Sequence, residues 1–211
     1  MRLLCQLIFG VINQNLNNNQ MEKYLKSTEI IDWNNPAILS KAENLAVGKT
    51  SYVDIAKSCF EWVRDHIKHI DDYDIPTVSI SASEVLKSGS GICYAKSHLL
   101  AALLRANSIP SGFCYQRLSR DDNGAPYCLH GLNAVYLPEI GWYRVDSRGN
   151  KKGVNAQFAP PKEQLAFSIQ IEGEIDFTKI LPDPLPIIIK TLMKYKVKDE
   201  LWDNLPDLQT I

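Results

Sequence analysis

Charge of one sign is what this chain of 211 residues has little of: 23 Lys and Arg stand against 24 Asp and Glu, for a formal net charge of −1. No stretch is dense enough in Lys or Arg to form a phosphate-binding face, which excludes nucleic acid as an expected partner. Cysteine is sparse and unpatterned, with five residues, an odd total, and no CxxC pair. That excludes a disulfide framework and a cysteine-based zinc site, and it favours a reducing compartment. A membrane-spanning run is missing as well. The apolar segment Leu3–Ile12 is too short to cross a bilayer, and it runs into the polar stretch Asn13–Gln20 instead of a small-residue cleavage site. A cytoplasmic protein is expected, with secretion through the apolar N-terminus as the alternative. Asp71, Asp72 and Asp74 lack the glycine and closing glutamate of a calcium loop, and read as a solvated loop. His66 and His69 have no further ligand cluster beside them and read as surface histidines. No metal and no cofactor is expected.

What is present suits one domain with decorations. Residues 1–49 read as an N-terminal helical and linker extension, 50–161 as the core, and 162–211 as a C-terminal extension packing on or near it. Helices are predicted over Ala37–Ala46, after the Trp33–Pro36 turn, and over Ser51–Ile70. In the second, Tyr52, Ile55, Ala56, Cys59, Phe60, Val63 and Ile67 fall on one face. Gly112–Leu118 has strand composition and Asp121–Gly124 is a turn. Tyr127–Leu137 and Trp142–Asp146 then make a β-hairpin, and Ile187–Val197 an amphipathic helix.

The stretch Ser88–Pro110 carries the first chemical signal. Its small, turn-prone start gives way after Cys93 to leucines at helical spacing (Leu99, Leu100, Leu103, Leu104), and Asn107, Ser108 and Pro110 end it. A thiol in a helix's first turn faces the positive end of the macrodipole, which favours the thiolate nucleophile. Alone, Cys93 is as readily a small buried hydrophobe. The hairpin tips the balance, because it supplies His130 as a base and Asp146 as the group that orients a base. Direct pairing of His130 with Asp146 centres the turn on Pro138, and an odd-membered loop puts both side chains on one face.

Three motifs in this order, Gly91-Ile92-Cys93 leading into HLLAALLRANSIP, His130-Gly131-Leu132-Asn133-Ala134-Val135-Tyr136, and Gly141-Trp142-Tyr143-Arg144-Val145-Asp146, resemble the transglutaminase-like superfamily of papain-type cysteine enzymes. The resemblance covers about residues 50–150. It implies an α+β fold, a papain/transglutaminase-like core in which the helix carrying the cysteine packs on an antiparallel sheet carrying the other two residues. It implies Cys93 as nucleophile, His130 as general base and Asp146 as orienting acid. Two departures, Tyr94–Ser97 after the cysteine and Leu132 after the histidine, bear on substrate preference. His98 is read as packing, Trp142 as pocket wall or core, and neither Gln116 nor any other side chain is assigned to an oxyanion hole. The expected activity is acyl transfer from a peptide or protein amide, with water as acceptor in a peptidase or amidase. Two alternatives stand beside it: a crosslinking transglutaminase using an amine acceptor, and a non-catalytic binding module on the same scaffold.

Overall fold

The computed structural model describes residues 21–211; Cys5, Leu3–Ile12 and the Asn- and Gln-rich segment lie outside the described residues. Helix α1 (Pro36–Ala46) starts as its sequence dictates, with Pro36 in the first turn and the Asn35 side chain accepting from the Ala37 N–H. Helix α2 (Tyr52–His66) is capped by Ser51 and buries Ala56, Cys59, Phe60 and Val63. Tyr52, expected on that face, is instead 49% exposed. It is the first helical residue, and side chains lean toward the helix N-terminus, so it overhangs the start of the packed face. The helix also stops at His66, not Ile70. Lys68 N–H turns to the Gly89 carbonyl, and β1 (Lys68–His69) pairs in parallel with β2 (Ser90–Gly91).

Helix α3 (Ala82–Ser88) opens on a reciprocal capping box between Ser81 and Glu84 and closes on Gly89 in the left-handed region at φ 67°. Helix α4 (Cys93–Ala106) follows β2 at once and is buried on every side from Cys93 through Arg105. Its four leucines are 0–1% exposed, and each stabilises the fold by about 2 kcal/mol. Helices α1, α2 and α3 pack against α4.

On its other side lies the antiparallel sheet, ordered β5 (Gly141–Val145), β4 (Tyr127–Leu137), β3 (Ser111–Ser119), β8 (Ile175–Asp176). The fold is therefore α+β, a helical layer on an antiparallel sheet, with α4 between the two. A small ribbon of β6 (Gln157–Ala159) and β7 (Lys162–Gln164) abuts β5. The chain ends in α5 (Pro186–Lys194) and α6 (Lys198–Asp203). The amphipathic helix expected to reach Val197 ends at Lys194, because Val197 bridges Thr77 and Lys198 donates to the Pro76 carbonyl, which draws the backbone out into extended form.

The hairpin turns about Glu139 rather than Pro138, since Leu137 pairs with Gly141 and Tyr136 with Trp142. The three-residue loop is odd-membered, as expected. A shift of this kind preserves the parity that fixes the face, so His130 and Asp146 sit diagonally rather than directly opposite and still reach each other.

Candidate active site

The α4 start, the β4 strand and the end of β5 converge on one cavity of about 820 Å³, lined among others by Cys93, His130, His69, Arg148 and Phe167. That size suits a small-molecule or side-chain pocket. Cys93 opens α4 and is 7% exposed. The preceding residue, Ile92, makes no side-chain cap, so no side chain of the capping residue claims the first-turn N–H groups beside the thiol.

His130 and Asp146 form a buried pair, Nε2 to Oδ2 at 2.7 Å. Asp146 is fully buried and does not rely on His130 alone: the Arg148 N–H donates to Oδ1 at 3.1 Å and the Ala166 N–H to Oδ2 at 3.2 Å. Burial would raise its pKa, yet His130 and these two donors hold it below the usual carboxylate range. For His130, burial favours the neutral ring, but the Asp146 charge and the neighbouring Cys93 side chain overcome it and raise the pKa to about 10. With Nε2 committed to Asp146, Nδ1 is the nitrogen left for the thiol. The Phe167 ring stands edge-on against the imidazole, centroids 5.0 Å apart, and fixes its plane.

Close approach of α4 to β4 makes this meeting possible. A Cβ on Gly131 would lie 2.8 Å from Tyr94 Cδ1 and 3.4 Å from Tyr94 Cα. Tyr94 cannot swing away, being fully buried with its hydroxyl bonded to the Leu129 carbonyl. Lys96, one turn into α4 and fully buried, donates to the Ile67 and Arg64 carbonyls and so ties α4 to the end of α2. Burial, with the charge of Arg148 adding to it, lowers its pKa to about 7.

The acidic loop is exposed at Asp72–Asp74, as expected, but the Asp72 carboxylate is tied down: Arg148 grips it through both terminal guanidinium nitrogens at 2.5 and 2.9 Å, and Lys151 adds a contact of 2.5 Å. Burial opposes its charge, but these bonds hold its pKa far below the carboxylate range. His66 is exposed, whereas His69 is 5% exposed and lines the cavity, because α2 ends early and delivers His69 into β1 beside the Cys93 turn. His98 packs in the core, with Nδ1 2.7 Å from the Ile80 carbonyl oxygen, and burial lowers its pKa to about 4. Trp142 sits away from the cavity, edge-on to Tyr24 and Tyr136. Gln116 pairs across from His130, but its amide donates to the Phe167 carbonyl at 3.3 Å.

Sequence reasoning missed Ala166, Phe167, Trp202 and Leu205, which reach the cavity from the C-terminal fifty residues. Leu129 donates to the Pro206 carbonyl at 2.8 Å, so that tail runs beside β4 next to His130. The remaining described thiols are poor nucleophiles: burial pushes Cys59, Cys114 and Cys128 each up to about 12.

The family model of the transglutaminase-like superfamily matches residues 40–147, a span that contains Cys93, His130 and Asp146. Among solved structures, a candidate cysteine protease from Cytophaga hutchinsonii is similar in fold, with a TM-score of 0.50 and 18% identity over 61% of this chain and 42% of that one. The periplasmic domain of TgpA from Pseudomonas aeruginosa gives a TM-score of 0.46 and 17% identity over 62% of this chain and 47% of that one. The chain thus spans less than half the length of either. No curated protein matches it. Among the described residues, no helix is long and apolar enough to cross a membrane.

Proposed function

The chain belongs to the transglutaminase-like superfamily, and from that premise we propose that it is a cysteine hydrolase that cleaves an amide bond of a peptide or protein through Cys93, His130 and Asp146. The observation that carries the reading is the buried 2.7 Å His130–Asp146 pair on the wall of the cavity that also holds the Cys93 thiol. A histidine with its pKa raised to about 10 keeps its proton near neutrality, as the acid of a thiolate–imidazolium pair must.

In this mechanism the Cys93 sulfur attacks the amide carbon and the C=O electron pair moves to oxygen. The tetrahedral species collapses as the C–N bond breaks, with His130 giving its proton to the leaving nitrogen. Neutral His130 then takes a proton from water, whose oxygen attacks the thioester carbon; the C–S bond breaks, the Cys93 thiolate leaves beside the re-formed imidazolium, and the acid product departs. Asp146 stays ionised throughout and holds the imidazole in place. The described cysteines are free thiols, which supports a cytoplasmic location.

The test is turnover of a peptide amide library by the wild type and by Cys93→Ala. Released amine from the wild type alone supports the reading, and equal release from both rejects it. An amine added as competing acceptor separates the two chemistries, because incorporation into the acyl product at the expense of acid would make the enzyme a transamidase.

A further inference from the structure

His69 is the one cavity-lining imidazole that the mechanism above leaves unused. It is 5% exposed, its Nδ1 is buried without a partner, and among the described residues neither ring nitrogen makes a hydrogen bond. The buried Nδ1 has no access to the cavity, so the unpartnered Nε2 is the nitrogen that a ligand there can reach, and a ring this buried without a partner at a cavity wall is a group waiting for one. Its backbone is fixed from three sides. Gly91, its register partner, lies two residues before Cys93. The Ile70 N–H donates to the Gly91 carbonyl at 3.3 Å, and Lys96 holds the Ile67 carbonyl. The ring therefore stands on a rigid platform directly beside the turn that presents the thiol.

Two kinds of occupant can be weighed. A metal ion would draw on His69, Asp71 and Asp72, whose ligand atoms lie within 4.8 Å of one another. Both Asp72 oxygens are already held by Arg148 and Lys151, however, and those two positive charges oppose a further cation beside them. An oxygen gaining negative charge is opposed by the Asp71 carboxylate, which lines the cavity as well, but is favoured by Arg148 and Lys151 on the same wall. The first-turn N–H groups of α4 and the Arg148 charge favour it, and a neutral imidazole offers one N–H to it. The ring is kept neutral: burial first, and the Arg148 charge after it, hold the His69 pKa well below the ordinary histidine range.

We propose that His69 donates its N–H to the substrate carbonyl oxygen as Cys93 attacks, acting with the Cys93 backbone N–H as the second donor of the oxyanion site. The proposal rests on Cys93 being the nucleophile. No proton is transferred from His69. The hydrogen bond strengthens as the C=O electron pair moves to oxygen and relaxes when the carbonyl re-forms and the leaving group departs.

Two probes of the same thiol separate this role from any other. Iodoacetamide alkylates sulfur by displacing iodide at a saturated carbon, so no oxyanion forms. p-Nitrophenyl acetate acylates sulfur through a tetrahedral oxyanion and releases p-nitrophenolate. Both rates are measured on the wild type, His69→Leu and His69→Gln. His69→Leu is expected to slow acylation roughly ten- to a thousandfold while alkylation stays within about threefold, and His69→Gln, which keeps an N–H donor, is expected to recover part of the loss. Unchanged acylation in His69→Leu overturns the proposal. Equal slowing of both reactions overturns it too, because the residue would then act on the thiol or on the fold. If wild-type Cys93 takes up neither probe, the nucleophile assignment itself fails and this proposal falls with it.

Discussion

At the scale of single residues, the site is a set of buried charges that are each answered. Asp146 alone would be costly to bury; the Arg148 and Ala166 N–H groups and the His130 ring together keep it ionised. Asp146→Asn preserves shape but offers His130 an amide in place of a charge. Turnover is expected to fall roughly ten- to a thousandfold, less than in serine triads because the thiol is intrinsically more reactive, with KM changing little; steady-state kinetics on a cleaved substrate measure it. Thiol selectivity follows from the same burial. Cys59, Cys114 and Cys128 are held up to about 12, so brief iodoacetamide treatment near neutral pH should label Cys93 alone among them. Peptide mapping that finds Cys128, which shares the cavity, labelled as fast would contradict this.

At the scale of elements, the site depends on how near α4 comes to β4. Gly131 sets that distance, for its missing Cβ occupies the place where Tyr94 packs. Gly131→Ala is expected to force the α4 start away from the strand, costing about 1–3 kcal/mol by overpacking and separating Cys93 from His130. Chemical denaturation reads the first effect and the alkylation rate of Cys93 the second; a variant unchanged in both would contradict the account.

What was legible in the sequence, and what was not, also divides at this scale. Cys93 at a helix start, the leucine spacing of α4 and the parity of the β4–β5 hairpin are local patterns, and local patterns survive in a sequence. The centre of the hairpin was misplaced by one residue because strand composition marks faces, not registers. The burial of His69 comes from α2 ending early, and the ion pairs of Asp72 come from Arg148 arriving across the fold, so neither had a local signal. Phe167, Trp202 and Leu205 carry no local signal at all: only tertiary packing brings them to His130.

At the scale of the whole molecule, buried histidines and Lys96 set how stability varies with pH. His98 is fully buried with its pKa near 4, below its unfolded value, so below about pH 6.5 the unfolded chain binds the proton more tightly. Stability is lost as pH falls from there toward 4, by on the order of 3 kcal/mol from this residue. His130 has the opposite sign. Its folded pKa of about 10 lies above the unfolded value, so its contribution is complete below about pH 6.5 and drains away as pH rises toward 10. Lys96, buried with its pKa lowered to about 7, has the opposite sign over the same alkaline range and offsets that loss, so thermal unfolding across pH 4–10 should vary chiefly on the acid side, with His98→Gln flattening that limb and His130→Gln leaving the Lys96 gain to raise stability toward pH 10. A wild-type acid limb unchanged in His98→Gln would contradict the assignment.

The central claim is that one thiol in this cavity carries the acyl group, and it is tested most directly by trapping. The protein is mixed with p-nitrophenyl acetate, quenched in acid and digested, and the acetylated peptide is sequenced by mass spectrometry. The account predicts acetyl on Cys93 in the wild type and its loss in Cys93→Ala, with slowed formation in His130→Gln. Acetyl on any other residue at the wild-type rate, or undiminished labelling of Cys93 in His130→Gln, would contradict it.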